Sequence, residues 1–144
     1  MFHVPGWRSA MCVSFAIYRS PGVAARQARR FVTLVRNFPW LSAELDWSAI
    51  PVLSEALPLA QSGVFPGGAR NNLKAYLERT GRDPALADWQ SLLLADPQTS
   101  GGLLIAFPLE RLDAALADFA HAGIPASVIG RMREPSGRDV LVRA

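Results

Sequence analysis

The chain has little cysteine and no long apolar run, and both shortages exclude classes of protein. Cys12 is the only cysteine among 144 residues, so neither an internal disulfide nor a cysteine-based zinc site can form. The longest apolar stretch, from Gly102 to Leu109, is far shorter than the roughly 18 residues that a membrane-spanning helix needs. The amino terminus also lacks the apolar core and cleavage pattern of a secretory signal. We therefore expect a cytoplasmic protein with no membrane partner.

Acidic residues are missing from the first part of the chain. Residues 1–43 hold six arginines and no Asp or Glu, whereas the rest holds nine basic and twelve acidic residues. The net charge of +3 therefore comes from a basic leader, and the acidic main body gives no reason to expect a nucleic-acid partner. We divide the chain into a leader at 1–40, either helical over Gly22–Asn37 or disordered, and one domain at 41–144.

The pattern of apolar residues after Leu41 predicts an α+β fold, a layered mixed β-sheet with flanking helices. Half of all residues are apolar, which suffices for one ordinary core. Strands are predicted over Ser42–Asp46, Leu103–Phe107, Pro125–Met132 and Arg138–Arg143. Helices are predicted over Ala49–Gln61, Asn72–Arg79, Pro84–Ala95 and Leu109–Ala122.

One segment of the domain is more distinctive than its neighbours. It reads Asp96-Pro97-Gln98-Thr99-Ser100-Gly101-Gly102-Leu103-Leu104. Asp-Pro begins a turn, and the adjacent glycines allow another backbone or a ligand to come close. Local chemistry favours a turn before a buried strand, with an anion-binding nest of consecutive amides as the alternative. The segment is neither a P-loop nor a dinucleotide fingerprint, because it lacks the lysine and leads into a strand.

This string closely resembles the signature of the carboxy-terminal domain of selenide, water dikinases (selenophosphate synthetases). A second stretch, Pro66-Gly67-Gly68-Ala69-Arg70-Asn71-Asn72, is similar to that family's Pro-Gly-Gly-Thr-Arg-Arg-Asn segment. Ala69 stands where the family has Thr, and Asn71 where it has Arg. The similarity extends from about Leu41 to the end of the chain.

The resemblance implies a fold like the carboxy-terminal domain of aminoimidazole ribonucleotide synthetases. In the full-length family this domain packs against an amino-terminal ATP-binding domain that dimerises. The family uses ATP and Mg²⁺ to convert selenide and water to selenophosphate, AMP and phosphate. The amino-terminal half, with its reactive Cys or selenocysteine, its Lys and most metal-binding aspartates, has no counterpart in this sequence. The family's Thr-Asp-Val-Thr-Gly segment, which opens the carboxy-terminal domain, is also not found.

We therefore expect a truncated family member that alone retains neither ATP nor Mg²⁺ and is inactive without the amino-terminal ATP-binding domain. The expected partner is that domain or a second copy of the chain in a homodimer. No catalytic residue or metal ligand is assigned, and Cys12 is not taken for the family's cysteine, because its neighbours are apolar. The resemblance implies that the motif residues line an interdomain or phosphate site: Asp96, Gln98, Thr99, Ser100, Gly101, Gly102, Gly67, Gly68 and Asn72. The alternative is a non-catalytic binding or regulatory module that packs against a separate ATP-binding protein.

Overall fold

The computed structural model describes the backbone of residues 10–15 and the full residues 41–97 and 104–144. Six strands lie in these ranges: β1 (Ala10–Phe15), β2 (Ser42–Asp46), β3 (Thr80–Arg82), β4 (Leu104–Pro108), β5 (Ala126–Arg133) and β6 (Val140–Arg143). The α-helices are α1 (Ala56–Gln61), α2 (Gly67–Tyr76), α3 (Asp88–Leu94) and α4 (Leu112–His121). Short 3-10 turns cover Trp47–Ala49, Leu77–Arg79 and Leu109–Arg111. None of the helices in these ranges is long and apolar enough to cross a bilayer.

The strands form one mixed sheet in the order β3-β6-β2-β5-β1-β4. The pairs β2–β6 and β3–β6 are parallel. The pairs β2–β5, β1–β5 and β1–β4 are antiparallel. Helices pack on the sheet, so the predicted α+β fold with a layered mixed sheet and flanking helices is confirmed.

Two strands were missing from the prediction. Strand β3 has only three residues, too few to show an alternating pattern. Strand β1 lies inside the range that the sequence assigns to the basic leader, and it pairs with both β4 and β5. The division at residue 41 stays a prediction, and β1 shows that part of the leader range joins the sheet. The predicted helix over Gly22–Asn37 lies outside the described residues.

The helix predicted over Ala49–Gln61 is wrong in its first half. A 3-10 turn ends at Ala49, and α1 begins only at Ala56. Pro58 gives the physical reason, because its ring would clash with the carbonyl of Ser54 in a continuous helix. With the helix beginning at Ala56, Pro58 falls in the first turn, where no amide partner is lost.

Each face of the sheet supports its own apolar core. On one face Leu45, Val140 and other buried residues pack with Leu86 and with Leu94 of α3. On the opposite face α4 packs on β4 and β5. Alternate residues of β4 serve the two cores, since Leu104 and Ala106 contact the first core and Ile105 and Phe107 the second. Helices therefore pack on both faces of the sheet, and on the second face α4 covers β4 and part of β5.

A charged cluster occupies the face of β2, β5 and β6 that α4 leaves uncovered. Glu44 is 8% exposed and lies in register with Arg131. Its Oε1 accepts from Nε and Nη2 of Arg131 at 3.1 and 2.7 Å. Its Oε2 accepts from Nη1 of Arg133 and lies 3.4 Å from Nε and Nη2 of Arg143. One buried carboxylate thus ties three strands together through three guanidinium groups.

Gly130 permits the close pairing of β2 with β5. It stands opposite Leu45, and a Cβ atom built there would lie 2.1 Å from the carbonyl oxygen of Glu44. The register between β1 and β5 also shifts beside Gly130, where Ile129 is left as an extra residue of a bulge. Any larger residue at 130 would push the two strands apart.

Glu44 makes the stability of the fold depend on pH. The hydrogen bonds from Arg131, together with Arg133, lower the pKa of Glu44 from 4.5 to about 2, and they outweigh the opposing effect of burial. A carboxylate whose pKa is depressed by folding stabilises the protein above the unfolded pKa and loses that contribution as the pH falls through the folded pKa. We expect the free energy of unfolding to decrease between pH 4.5 and about 2. Urea titrations across this range measure it.

The matched variant is Glu44→Gln, which keeps the shape and removes the charge. At neutral pH we expect it to unfold more easily by about 2 kcal/mol, because three arginines lose their shared partner. Its stability should change less between pH 4.5 and about 2 than that of the wild-type protein. Equal slopes for the two proteins would contradict the assignment to Glu44.

Candidate functional site

The Pro-Gly-Gly segment forms the start of helix α2. Pro66 has extended backbone angles and caps the helix, and its carbonyl accepts from the amide of Ala69 at 2.9 Å. Gly67 and Gly68 are the first two helical residues, so the helix begins earlier than the predicted Asn72. Pro66 is therefore the N-cap residue of α2.

Gly68 brings this helix start against the second motif. A Cβ atom at position 68 would lie 2.7 Å from Cγ and 3.0 Å from Cβ of Pro97. At Gly67, by contrast, no atom of the described residues lies within 4 Å of such a Cβ atom. Among the residues that the structure describes, packing therefore requires a glycine at position 68 and not at position 67.

A hydrogen bond joins the two motifs one turn further along the helix. Nδ2 of Asn72 donates to the carbonyl oxygen of Ala95 at 2.9 Å. Ala95 is 5% exposed and follows the last residue of α3, where helix carbonyls lack partners within the helix. Asn72 thus fixes the end of α3 and the start of the Asp96-Pro97 turn against α2.

Asp96 lies at this junction in a partly buried position. Burial raises the pKa of its carboxyl group above the usual range. Desolvation favours the neutral form of a carboxyl group when no cation compensates it. Its place beside the junction of two motifs makes it the titratable residue of the candidate site.

Four of the predicted site residues, Gly67, Gly68, Asn72 and Asp96, thus lie at one junction. The other predicted residues, Gln98, Thr99, Ser100, Gly101 and Gly102, lie outside the described residues. Their role in an interdomain or phosphate site stays a prediction. Pro97 and Ala95 were not among the predicted site residues, because neither side chain offers a chemical group that signals a site.

A cavity of about 420 Å³ opens next to the junction, between α2, α3 and the edge of the sheet. Asn72 and Ala95 line it, its walls include Leu45 and Val140, and Arg70 and Arg82 contribute charge. Arg82 also donates to Oδ1 of Asp88 at 2.6 Å. The volume falls within the range of small-molecule sites.

Metal binding needs a group of ligating side chains. In ranges 41–97 and 104–144, no three His, Cys, Asp or Glu residues come together in a way that could hold a metal ion. The two motifs contribute a single carboxylate, that of Asp96. We therefore assign no magnesium ligand among the residues of these two ranges.

The fold and the site define a class of protein: a layered α+β domain in which a helix that begins with Pro-Gly-Gly packs against an Asp-Pro turn. Comparison with known proteins gives the relationship. The chain is 45% identical over 91 residues to the selenide, water dikinase of Rhizobium meliloti. It is 41% identical over 93 residues to that of Pseudomonas straminea, and 38% over 101 residues to that of Carboxydothermus hydrogenoformans. No protein-family model matches the chain.

These matches cover 62 to 70% of the chain but only 26 to 29% of each relative. The chain is therefore a homologue of one part of the selenide, water dikinases, as its two motifs indicated. It spans just over a quarter of the length of these curated relatives.

Gly68→Ala should destabilise the fold. The new methyl group would overlap the ring of Pro97, which cannot rotate away, and overpacking of this kind costs about 1–3 kcal/mol. Gly67→Ala is the matched control, because its methyl group meets open space and alanine favours a helix. Thermal unfolding of both variants measures the difference. Equal melting temperatures would show that α2 and Pro97 do not pack as described.

Asn72→Asp should also lower stability, by about 2 kcal/mol, because a carboxylate cannot donate to the carbonyl of Ala95 and would repel it. Asn71→Asp is the control at the neighbouring exposed position. Protonation of the new carboxyl group restores a donor, so the deficit of Asn72→Asp should shrink in acid. Urea titrations at neutral and acidic pH measure both effects. A deficit that is the same in both variants would contradict the hydrogen bond.

Proposed function

We propose that this chain provides the carboxy-terminal domain of a selenide, water dikinase, and that it acts by packing against an ATP-binding domain. The observation that carries the proposal is the junction of the two motifs, in which Gly68 meets Pro97 and Asn72 binds Ala95. Homology to named selenide, water dikinases over 62 to 70% of the chain supports the assignment. Production of selenophosphate, with ATP and Mg²⁺ bound mainly by the other domain, follows from the resemblance.

The proposed docking surface is the open side of the α2 start. Gly67 offers bare backbone there, and within the described ranges no atom lies within 4 Å of the position of its Cβ atom. Two exposed apolar residues lead into this helix: Leu59 is 54% and Val64 is 60% exposed, and the amide of Val64 donates to the carbonyl of Leu59. Apolar side chains exposed at such a place are typical of a surface that is covered in a larger assembly. Contact with a second domain would therefore remove these apolar side chains from water.

The chain alone should not catalyse the reaction. Phosphoryl transfer requires cations held around the triphosphate, and the described residues assemble no such group of ligands. We expect the chain, incubated with ATP, selenide and Mg²⁺ in a reducing buffer, to release no more AMP than a control without protein. Turnover at the rate of ordinary enzymes, at least about 1 per second, would overturn the expected inactivity.

Docking is tested in a full-length enzyme. In the Rhizobium meliloti relative, residues 10–144 of this chain, which contain all six described strands, replace the carboxy-terminal segment, and AMP release is measured. We expect the chimaera to be active and Gly67→Arg to lower kcat/KM by about 100-fold, because small misplacements of a catalytic assembly have effects of this size. Ala117→Arg, on an exposed position of α4, is the control with the same added charge.

Two outcomes would contradict the proposed docking. If Gly67→Arg and Ala117→Arg reduced activity equally, the open side of α2 would not be the docking surface. If the chimaera folded and bound ATP but released no AMP, the chain would be a binding or regulatory module instead. Circular dichroism verifies that each variant is folded.

A further inference from the structure

We propose that the cluster of Glu44, Arg131, Arg133 and Arg143 is a binding site for a doubly charged phosphate group. The cluster lies on the sheet face beside α4, on side chains from β2, β5 and β6, and it does not belong to the junction of the two motifs. The inference does not depend on the proposed function.

Charge is the first reason. Three arginines surround one carboxylate, so the four residues carry a net charge of +2. Glu44 is buried to 8% exposure, whereas the side chains of Arg131, Arg133 and Arg143 are 57%, 49% and 51% exposed. The negative charge is therefore covered and the positive charges face solvent. A phosphate group carries a charge of about −1.5 to −2 at neutral pH, opposite in sign to this excess, which the carboxylate of Asp46 reduces beside Arg143.

Geometry is the second reason. Glu44 engages Nε and Nη2 of Arg131 and of Arg143, and Nη1 of Arg133. Each guanidinium group has five N–H donors in a planar fork, so each keeps donors that Glu44 does not use. The carboxylate holds these groups in place before any ligand arrives. Such preorganisation reduces the entropy that binding loses.

The surroundings indicate what kind of phosphate fits. A depression of about 320 Å³ borders the cluster at Glu44, Arg131 and Arg143. Asp46, which is in register with Arg143, and Ala144 also line it, and the carboxylate of Asp46 disfavours a second anionic group there. An uncharged body attached to the phosphate would meet no such repulsion. The ligand class is therefore free phosphate or a phosphate monoester with an uncharged body.

Binding to the wild-type protein is measured by isothermal titration, with inorganic phosphate and ribose 5-phosphate as probes and chloride at matched ionic strength. We expect both probes to bind, and Arg131→Gln and Arg133→Gln each to weaken binding about tenfold, the effect of one lost charge-assisted hydrogen bond. Arg111→Gln, an exposed arginine outside the cluster, is the control. Tighter binding of ribose 5-phosphate would identify a monoester site, and equal binding would identify free phosphate.

A second measurement separates a binding site from a purely structural ion cluster. In Glu44→Gln the amide fills the place of the carboxylate but the cluster gains one net positive charge, so a phosphate group on the exposed side of the arginines is attracted more strongly. We expect phosphate to raise the melting temperature of this variant more than that of the wild-type protein. Because phosphate stabilises proteins generally, Gly68→Ala is the control, since it is destabilised at a different place.

Three results would overturn the proposal. The first is a wild-type protein that binds neither probe. The second is a phosphate affinity that Arg131→Gln, Arg133→Gln and Arg111→Gln lower to the same extent. The third is an increase in melting temperature that is the same for Glu44→Gln and Gly68→Ala. If Arg133→Gln does not fold, Arg133→Lys keeps the charge and removes the planar fork, and it should still weaken binding.

Discussion

The close pairing of β2 with β5 is the constraint on which the rest of the structure depends. Strand β2 lies between β6 and β5, and Gly130 allows its backbone to approach β5 without a side chain between them. One row of β2 residues, with Leu45 at 1% exposure, faces the first core. The other row includes Glu44, which binds two arginines of β5 and one of β6. The strand therefore links an apolar core to a charged surface through the thickness of the sheet.

The candidate site depends on this sheet through the helices that it carries. Leu94 of α3 belongs to the first core, which sets the position of the helix end at Ala95. Asn72 then binds the carbonyl of Ala95, and Gly68 meets Pro97. Two segments that are well separated in sequence are thus brought together by packing on a common sheet. The charged cluster is held by the same sheet on its opposite face.

Sequence reasoning was most successful where a local pattern had a single interpretation. The helix after Leu109 repeats apolar residues at helical spacing, and α4 lies within the predicted range. Strands β2, β4, β5 and β6 also fall within a residue or two of their predicted bounds. The first half of the helix predicted over Ala49–Gln61 was wrong, because Pro58 is compatible with a first turn but not with a helix interior. Strand β1 was missed, because its pairing with β4 and β5 is not local.

The sequence by itself determined the fold class and the family relationship, because apolar periodicity and unusual motifs are properties of the chain alone. Only the tertiary structure decided that Gly68, and not Gly67, is the packed glycine, since this depends on the position of Pro97. It also decided that Glu44 is buried among three arginines, although alternation along β2 does not distinguish a buried carboxylate from an exposed one. The physical reason is the same in both cases. Steric overlap and desolvation arise between residues far apart in sequence, so they exist only once the strands and helices have packed.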